Sequence, residues 1–320
     1  MVLETGGAGA PVIFLMGPTG AGKTAAALWL AARLPIEIVS VDSALVYRGL
    51  DIGTAKPDPA ERRGVPHHLI DICEPAEVYS AARFRADAVT AIEAVIARGR
   101  LPLLVGGTGL YFRLLETGIT DMPVVPPGVR ESLRSDLQRL GSEALHARLA
   151  VVDPVSAARI HPNDPQRIAR ALEVHAAEGR PMSDYFERAA QTAFARPVIK
   201  WVLAPVDRDG LRRRHAARFL AMLERGLVNE VRALLASPGV TPACPALRAV
   251  GYREVARHLA GELDRAAMID AAVTATRQYA KRQYTWFRAE RGAEWFDSDA
   301  SKVLEELMEN LKSSANLLDY

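Results

Sequence analysis

The stretch Gly17-Pro-Thr-Gly-Ala-Gly-Lys-Thr24 follows the apolar run Val12–Met16 and precedes the helix-forming run TAAALWLAARL. Its spelling is G-x-x-x-x-G-K-[ST], and a strand before it with a helix after it is the context that gives the spelling meaning. Gly17, Gly20 and Gly22 let the backbone N–H groups of a loop that also holds Pro18, Thr19 and Ala21 converge on an anion. The helix N-terminus adds its partial positive charge. In such a loop Lys23 grips the outer phosphate oxygens and Thr24 presents its hydroxyl to a magnesium ion, Mg2+. The alternative is a glycine-rich turn without a ligand.

Outward from this loop, β-like runs recur at Ile36–Val41 and Leu101–Val105 with helical patterns between them. Ser80 suits the N-cap of a helix ended by Gly99, and Thr108 suits the cap of the helix after the GGTG turn. Alternating strand and helix predict an α/β fold, a P-loop type doubly wound parallel sheet with its ligand site beyond the strands' C-terminal ends. From about Asp121 the texture shifts to short helical segments punctuated by Pro154, Pro162, Pro165 and Pro181. A strand near Ile199 then restores the sheet. The expected organisation is a core over 1–121, a helical insertion domain over 122–196, and the rest of the core over 197–320. The last part holds the final strand, a long helix through AAMIDAAVTATRQYAKRQYTWFRAE and a peripheral C-terminal tail.

Hydrolases with this loop commonly place a magnesium-binding Asp at the end of a later apolar strand, but LPLLVGGTGLY ends in glycines and a threonine. The acid at such a position is Asp42, after IEIVSV. There its carboxylate can serve as a general base, as a ligand of the metal, or as a plain turn or cap residue. A nucleotide hydrolase is disfavoured on this count.

The 320-residue chain is 49% hydrophobic with a formal net charge of +2, so any affinity for a polyanion must come from local clusters. Three are visible: Gln166, Arg167 and Arg170 in QRIAR; Arg248 and Arg253 around the glycine of RAVGYR; and Arg277, Lys281 and Arg282 interleaved with aromatic residues. Cys73 and Cys244 stand far apart with neither a disulfide nor a zinc spacing, and no apolar run approaches a membrane span. A cytoplasmic protein with no membrane partner is expected.

The motifs GPTGAGKT, SVDSALVYRGLDIGTAKP, PHHLID, YSAARF, LLVGGTGLY, RIHPNDPQRIARALEV, GYRE and TRQYAKRQYTWFR, in this order, resemble those of the bacterial tRNA dimethylallyltransferases. The resemblance spans the chain from the first strand to TWFR, although the loop reads Thr-Gly-Ala where relatives often have Thr-Ala-Ser. It implies transfer of a dimethylallyl group from dimethylallyl diphosphate to N6 of the adenosine 3′-adjacent to the anticodon of tRNA. The loop would then hold a leaving diphosphate with Mg2+, and a monomer is expected. The resemblance implies catalytic roles for Asp42, Thr108 and Arg218. It implies contacts to the anticodon stem-loop from Asp42, Ser43, Ala44 and Leu45, from Thr108 and Arg130, and from Gln166, Arg167, Ile168, Ala169 and Arg170. Arg248, Gly251, Tyr252 and Arg253, with Lys281, Arg282 and Gln283, complete that implied surface. A small-molecule kinase would use the same loop for ATP without the basic clusters. A non-catalytic nucleotide-gated RNA-binding protein would have the clusters but need no base at Asp42.

Overall fold

The computed structural model describes residues 9–62, 64–119, 122–189 and 194–318. Six parallel strands form one sheet in the order β3-β2-β4-β1-β5-β6, with β1 at Val12–Met16, β2 at Ile36–Val41, β3 at His67–His68, β4 at Leu101–Gly106, β5 at Val198–Ala204 and β6 at Glu294–Asp297. All five residues of β1 are buried, as expected of a parallel strand covered on both faces.

Alternate residues of the strands build two cores. Ile13, Leu15, Ile36, Ile38, Leu103 and Trp201 pack with Ala27 and Leu30 of α1 (Lys23–Ala31) and with Val303, Leu307 and Leu311 of a C-terminal helix. Phe14, pointing the other way, meets Phe112 of α3 (Gly109–Thr117) at 4.9 Å between ring centroids. Between these helices in the chain lies α2 (Ala81–Ala97), which packs on β2 and β4 and whose N-cap Ser80 accepts from the Arg83 amide at 3.1 Å.

The chain divides into two compact units, Met1–Phe112 with Ala195–Tyr320, and Arg113–Phe194. The second unit is helical: α4 (Pro127–Val152), interrupted at Gly141, α5 (Pro154–Arg159), α6 (Pro165–Glu178) and α7 (Met182–Ala189). Its core gathers Leu133, Leu145, Leu149, Ile168, Leu172 and Tyr185. The fully buried Asp153 accepts from the Ser156 amide at 2.9 Å and the Ser183 amide at 3.0 Å, so one carboxylate starts α5 and ties down α7. The first unit resumes with α8 (Arg208–Glu224), α9 (Leu227–Leu235), a 3-10 turn at Pro245–Arg248, α10 (Tyr252–Leu259), α11 (Arg265–Arg288) and α12 (Val303–Leu318).

Two features correct the sequence reading. The tail is not peripheral, because β6 pairs with β5 from Trp201↔Glu294 to Ala204↔Asp297 and α12 buries Val303, Leu307 and Leu311 in the sheet's core. Thr108 does not cap α3 through its side chain. Its hydroxyl is covered and has no hydrogen-bond partner of good geometry, while its carbonyl accepts from the Tyr111 amide at 2.9 Å.

At the C-terminal edge of the sheet the backbones of β2 and β4 close in tightly. A Cβ on Gly106 would stand 1.9 Å from the Val41 carbonyl oxygen. Gly106→Ala is therefore expected to lower the stability of the fold by about 1–3 kcal/mol, since rigid backbone must move to relieve the overlap. Urea unfolding with an unchanged m-value measures it, and an unchanged midpoint refutes it.

Candidate active site

Parallel strands place their following loops side by side, and the register puts Met16, Val41 and Gly106 level with one another. Gly17, Asp42 and Gly107 therefore emerge at one edge. Gly22 adopts a left-handed φ of 77° as the N-cap of α1 and offers no side-chain cap, so the loop turns directly into the helix and leaves the N–H groups of its first turn for an anion. The Lys23 ammonium folds back over the loop, donating to the carbonyls of Gly17 at 2.9 Å and Pro18 at 2.8 Å. Burial brings its pKa down to about 8; nearby Asp42 opposes this and nearby Arg218 adds to it. Thr24, in the first turn of α1, is exposed.

Asp42 starts the loop after β2 and is half-buried. Its Oδ1 accepts from the amides of Ala44 at 2.8 Å and Leu45 at 3.3 Å. The turn role that the sequence left open is thus real, but it occupies one carboxylate oxygen and fixes the direction of the other. Arg218, half-buried on α8, feels that carboxylate. Burial lowers its pKa and Asp42 counters the shift. The Tyr279 phenol on α11 is raised by burial and then by the Asp42 charge, so it stays protonated, and it lies beside the Thr108 hydroxyl.

Two clefts meet here. The first, about 860 Å³, is lined by the glycine-rich loop, Lys23, Thr24, Trp29, Leu45 and Val105. The second, about 520 Å³, is lined by Ser43, Ala44, Tyr47, Arg248, Gly251, Arg253, Gln278 and Arg282. Thr19, Asp42, Thr54, Arg218 and Tyr279 border both. An anion cradle and a basic, partly aromatic cleft therefore open on one carboxylate.

The expected polyanion surface is present only in part. Arg248, Arg253, Lys281 and Arg282 are exposed, and all but Lys281 line the second cleft. Arg282 lies 5.9 Å from the centroid of the Tyr279 ring, and Arg253 pairs with the buried Glu254 at 2.5 Å. In the helical unit Asp164 caps α6 through the Arg167 amide at 3.1 Å. Gln166 and Arg167 are exposed there, and Ala169 and Arg170 are half-buried. Arg170 and the exposed Arg130 both approach Glu173, at 3.4 and 3.9 Å.

Four residues depart from the roles the motifs implied. Ile168 is fully buried in the core of the helical unit and presents nothing to a ligand. Tyr252 is fully buried, and its hydroxyl meets Glu230 at 2.5 Å and the Gly53 amide at 3.1 Å, so it anchors the loop at 51–54. Leu45 borders the glycine-loop cleft and not the basic one. Gln283 is buried, with both ends of its amide bonded inside the protein. A helix turns about 100° per residue, so the neighbour of an exposed Lys-Arg pair can point straight inward.

Sequence reasoning also missed His215, Thr54 and the part played by Tyr279. The buried His215 reaches the Thr19 carbonyl through Nε2 at 3.0 Å. Burial first, then Arg218 and Arg214, lower its pKa, while the Thr19 carbonyl opposes them, which leaves a neutral ring with Nε2–H as the donor. Nothing in RRRHAARF marks this histidine except its apolar-face spacing from Leu211 and Phe219.

Comparison with known proteins adds an independent line. The family model described as IPP transferase matches residues 45–290. The chain is 55% identical over 284 residues to the tRNA dimethylallyltransferase of Thioalkalivibrio sulfidiphilus, covering 89% of each. It is likewise 55% identical over 282 residues to that of Alkalilimnicola ehrlichii, covering 88% of this chain and 89% of the other. Among solved structures it resembles the full-length tRNA isopentenylpyrophosphate transferase of Bacillus halodurans, with a TM-score of 0.70, 36% identity and coverage of 97% and 98%. A eukaryotic dimethylallyltransferase acting on tRNA superposes with a TM-score of 0.77 at 27% identity, covering 95% of this chain and 80% of that one.

Proposed function

The chain belongs to the IPP transferase family, and from that premise we infer that it is a tRNA dimethylallyltransferase whose donor lies in the glycine-loop cleft and whose acceptor adenosine enters by the basic cleft. The observation that carries this assignment is the shared border: the two clefts meet at Asp42, Arg218 and Tyr279. The donor is dimethylallyl diphosphate, and the acceptor is N6 of the adenosine next to the anticodon on its 3′ side.

In the reaction the allylic C–O bond of the donor breaks as the C–N bond to N6 forms. The diphosphate takes the electron pair, and the loop N–H groups with Lys23 and Arg218 stabilise the growing negative charge. N6 must lose a proton as it alkylates, and the Asp42 oxygen not committed to the Ala44 and Leu45 amides accepts it. The Thr108 hydroxyl lies beside the Tyr279 phenol, which borders both clefts, so Thr108 acts on the substrates by orienting that phenol. An adenine reaches this depth only out of its stack.

Thr24 and Asp42 offer only hard oxygen donors on one cleft, a set that suits Mg2+, which retains waters and takes phosphate oxygens. When bound it would offset diphosphate charge. Among the described residues no helix is long and apolar enough to cross a membrane.

With dimethylallyl diphosphate and an unmodified anticodon stem-loop, the protein is expected to release diphosphate and yield N6-dimethylallyladenosine, read by nucleoside mass spectrometry. RNA-stimulated ATP hydrolysis without prenyl transfer would overturn the assignment. The acceptor side has its own test. Replacing Arg248 and Arg282 by Ala is expected to flatten the dependence of log affinity for the stem-loop on log salt by about one to two units, since each phosphate contact releases condensed counterions. Donor KM should change little. An unchanged salt slope would mean that these arginines are solvated surface.

A further inference from the structure

We propose that Gln283, although it follows the exposed Lys281 and Arg282 on α11, is a positioning residue of the donor site and not an RNA contact. The residue is 5% exposed. Oε1 accepts from the Thr19 amide at 2.9 Å, and Nε2 donates to the Gly107 carbonyl at 2.9 Å. These two partners lie in the loops that leave the adjacent strands β1 and β4, so one amide fixes the spacing between the phosphate loop and the turn that follows β4. Gln283 borders the glycine-loop cleft and is not among the residues lining the basic one.

The grip on Thr19 is two-sided. His215 of α8 holds its carbonyl at 3.0 Å while Gln283 holds its amide. Both backbone groups of one residue at the loop's tip are thereby taken by buried side chains from two helices. The Thr19 N–H is spent on Gln283 and the Ala21 N–H on the Pro18 carbonyl at 3.3 Å, so the anion is left to the N–H groups at the start of α1. A preorganised cradle loses much of its value when its donors drift by a fraction of an ångström.

Gly107 is part of the same device. A Cβ there would lie 2.1 Å from the Gln283 Nε2, with the next contacts at 3.3 and 3.4 Å. Gly107→Ala therefore evicts the amide and meets little else.

The inference rests on the donor reading of the glycine-loop cleft, and the experiment separates the two. Calorimetric binding of inorganic diphosphate with Mg2+, stem-loop binding by filter retention, and steady-state kinetics are measured on the full chain, on Gln283→Met, on Gly107→Ala and on the double variant. Gln283→Met is expected to weaken diphosphate binding and raise donor KM by roughly tenfold, the scale of a lost buried hydrogen-bond pair, with stem-loop affinity within about twofold of the parent. Gly107→Ala should match it, and the double variant should be no worse than either single one, because all three lose the same contact. Should Gln283→Met fail to fold, Gly107→Ala alone decides. Weakened stem-loop binding with diphosphate binding intact would make Gln283 an RNA contact and overturn the proposal. Unchanged donor parameters, or equal losses on both ligands with a lowered melting temperature, would overturn it as well. If the parent chain binds no diphosphate, the donor reading itself falls and the proposal falls with it.

Discussion

Asp42→Asn is expected to lower the turnover of dimethylallyl transfer by about 10²–10⁴-fold while leaving the fold and the affinity for the stem-loop in place. The size follows from the geometry. Asparagine can keep the Oδ1 contacts to the Ala44 and Leu45 amides, which hold the turn, because its side-chain carbonyl accepts as the carboxylate does. What it cannot do is take a proton from N6. The substitution thus removes the chemistry and spares the scaffold, and the loss should fall on kcat and kcat/KM together, as for an interaction made only in the transition state. Unchanged turnover would remove Asp42 from the mechanism. A loss repaired by raised magnesium would assign the carboxylate to the metal instead.

The legible parts of this architecture were those written in local pattern. The phosphate loop fixed β1 and α1 because strand, glycines, Lys-Thr and helix stand in contiguous sequence. Ser80 marked a helix start through the bond it makes. Asp42 could be picked out because a parallel sheet delivers the residue after a strand to the ligand edge. β6 was not legible: its four residues are exposed or half-buried, and a strand that short is held by its pairing with β5 and not by its own pattern. The α12 core residues Val303, Leu307 and Leu311 recur every four positions, a visible amphipathic stripe. Nothing local says, however, that the sheet face over Ile13, Leu103 and Trp201 needs a further cover.

The same limit shaped the site. Motif membership groups Lys281, Arg282 and Gln283, and groups Gly251, Tyr252 and Arg253, but it does not say which way each side chain points. The arginines of these groups face the basic cleft, while Tyr252 and Gln283 turn into the protein and fasten loops. A polar or aromatic residue inside a basic motif can be a brace for the backbone that binds the ligand. Only the long-range partners, Glu230 for Tyr252 and Thr19 for Gln283, reveal it.

The second large effect concerns Lys23, whose ammonium has a pKa near 8 in the free protein because burial disfavours its charge. A lysine depressed below its unfolded value costs the fold stability below about pH 8, and that cost fades as the pH rises towards the unfolded pKa of 10.5. Donor binding has the opposite dependence. A diphosphate beside the ammonium favours the protonated form, so affinity should be greatest below about pH 8 and should fall as the pH rises above it, with net proton uptake on binding at pH 8.5. Calorimetry in buffers of different ionisation enthalpy reads that uptake directly. Lys23→Arg keeps the charge at every pH and should abolish the uptake. Lys23→Ala should weaken diphosphate binding by about 10²-fold, the scale of a lost charge-assisted contact, and should depress turnover too, since the contact serves the bound donor and the departing diphosphate alike. In the free protein the ammonium rests on the carbonyls of Gly17 and Pro18, so it must give up those bonds to reach a phosphate. If proton uptake at pH 8.5 is the same in the parent and in Lys23→Arg, the titrating group lies elsewhere and the lysine's part in holding the donor is lost with it.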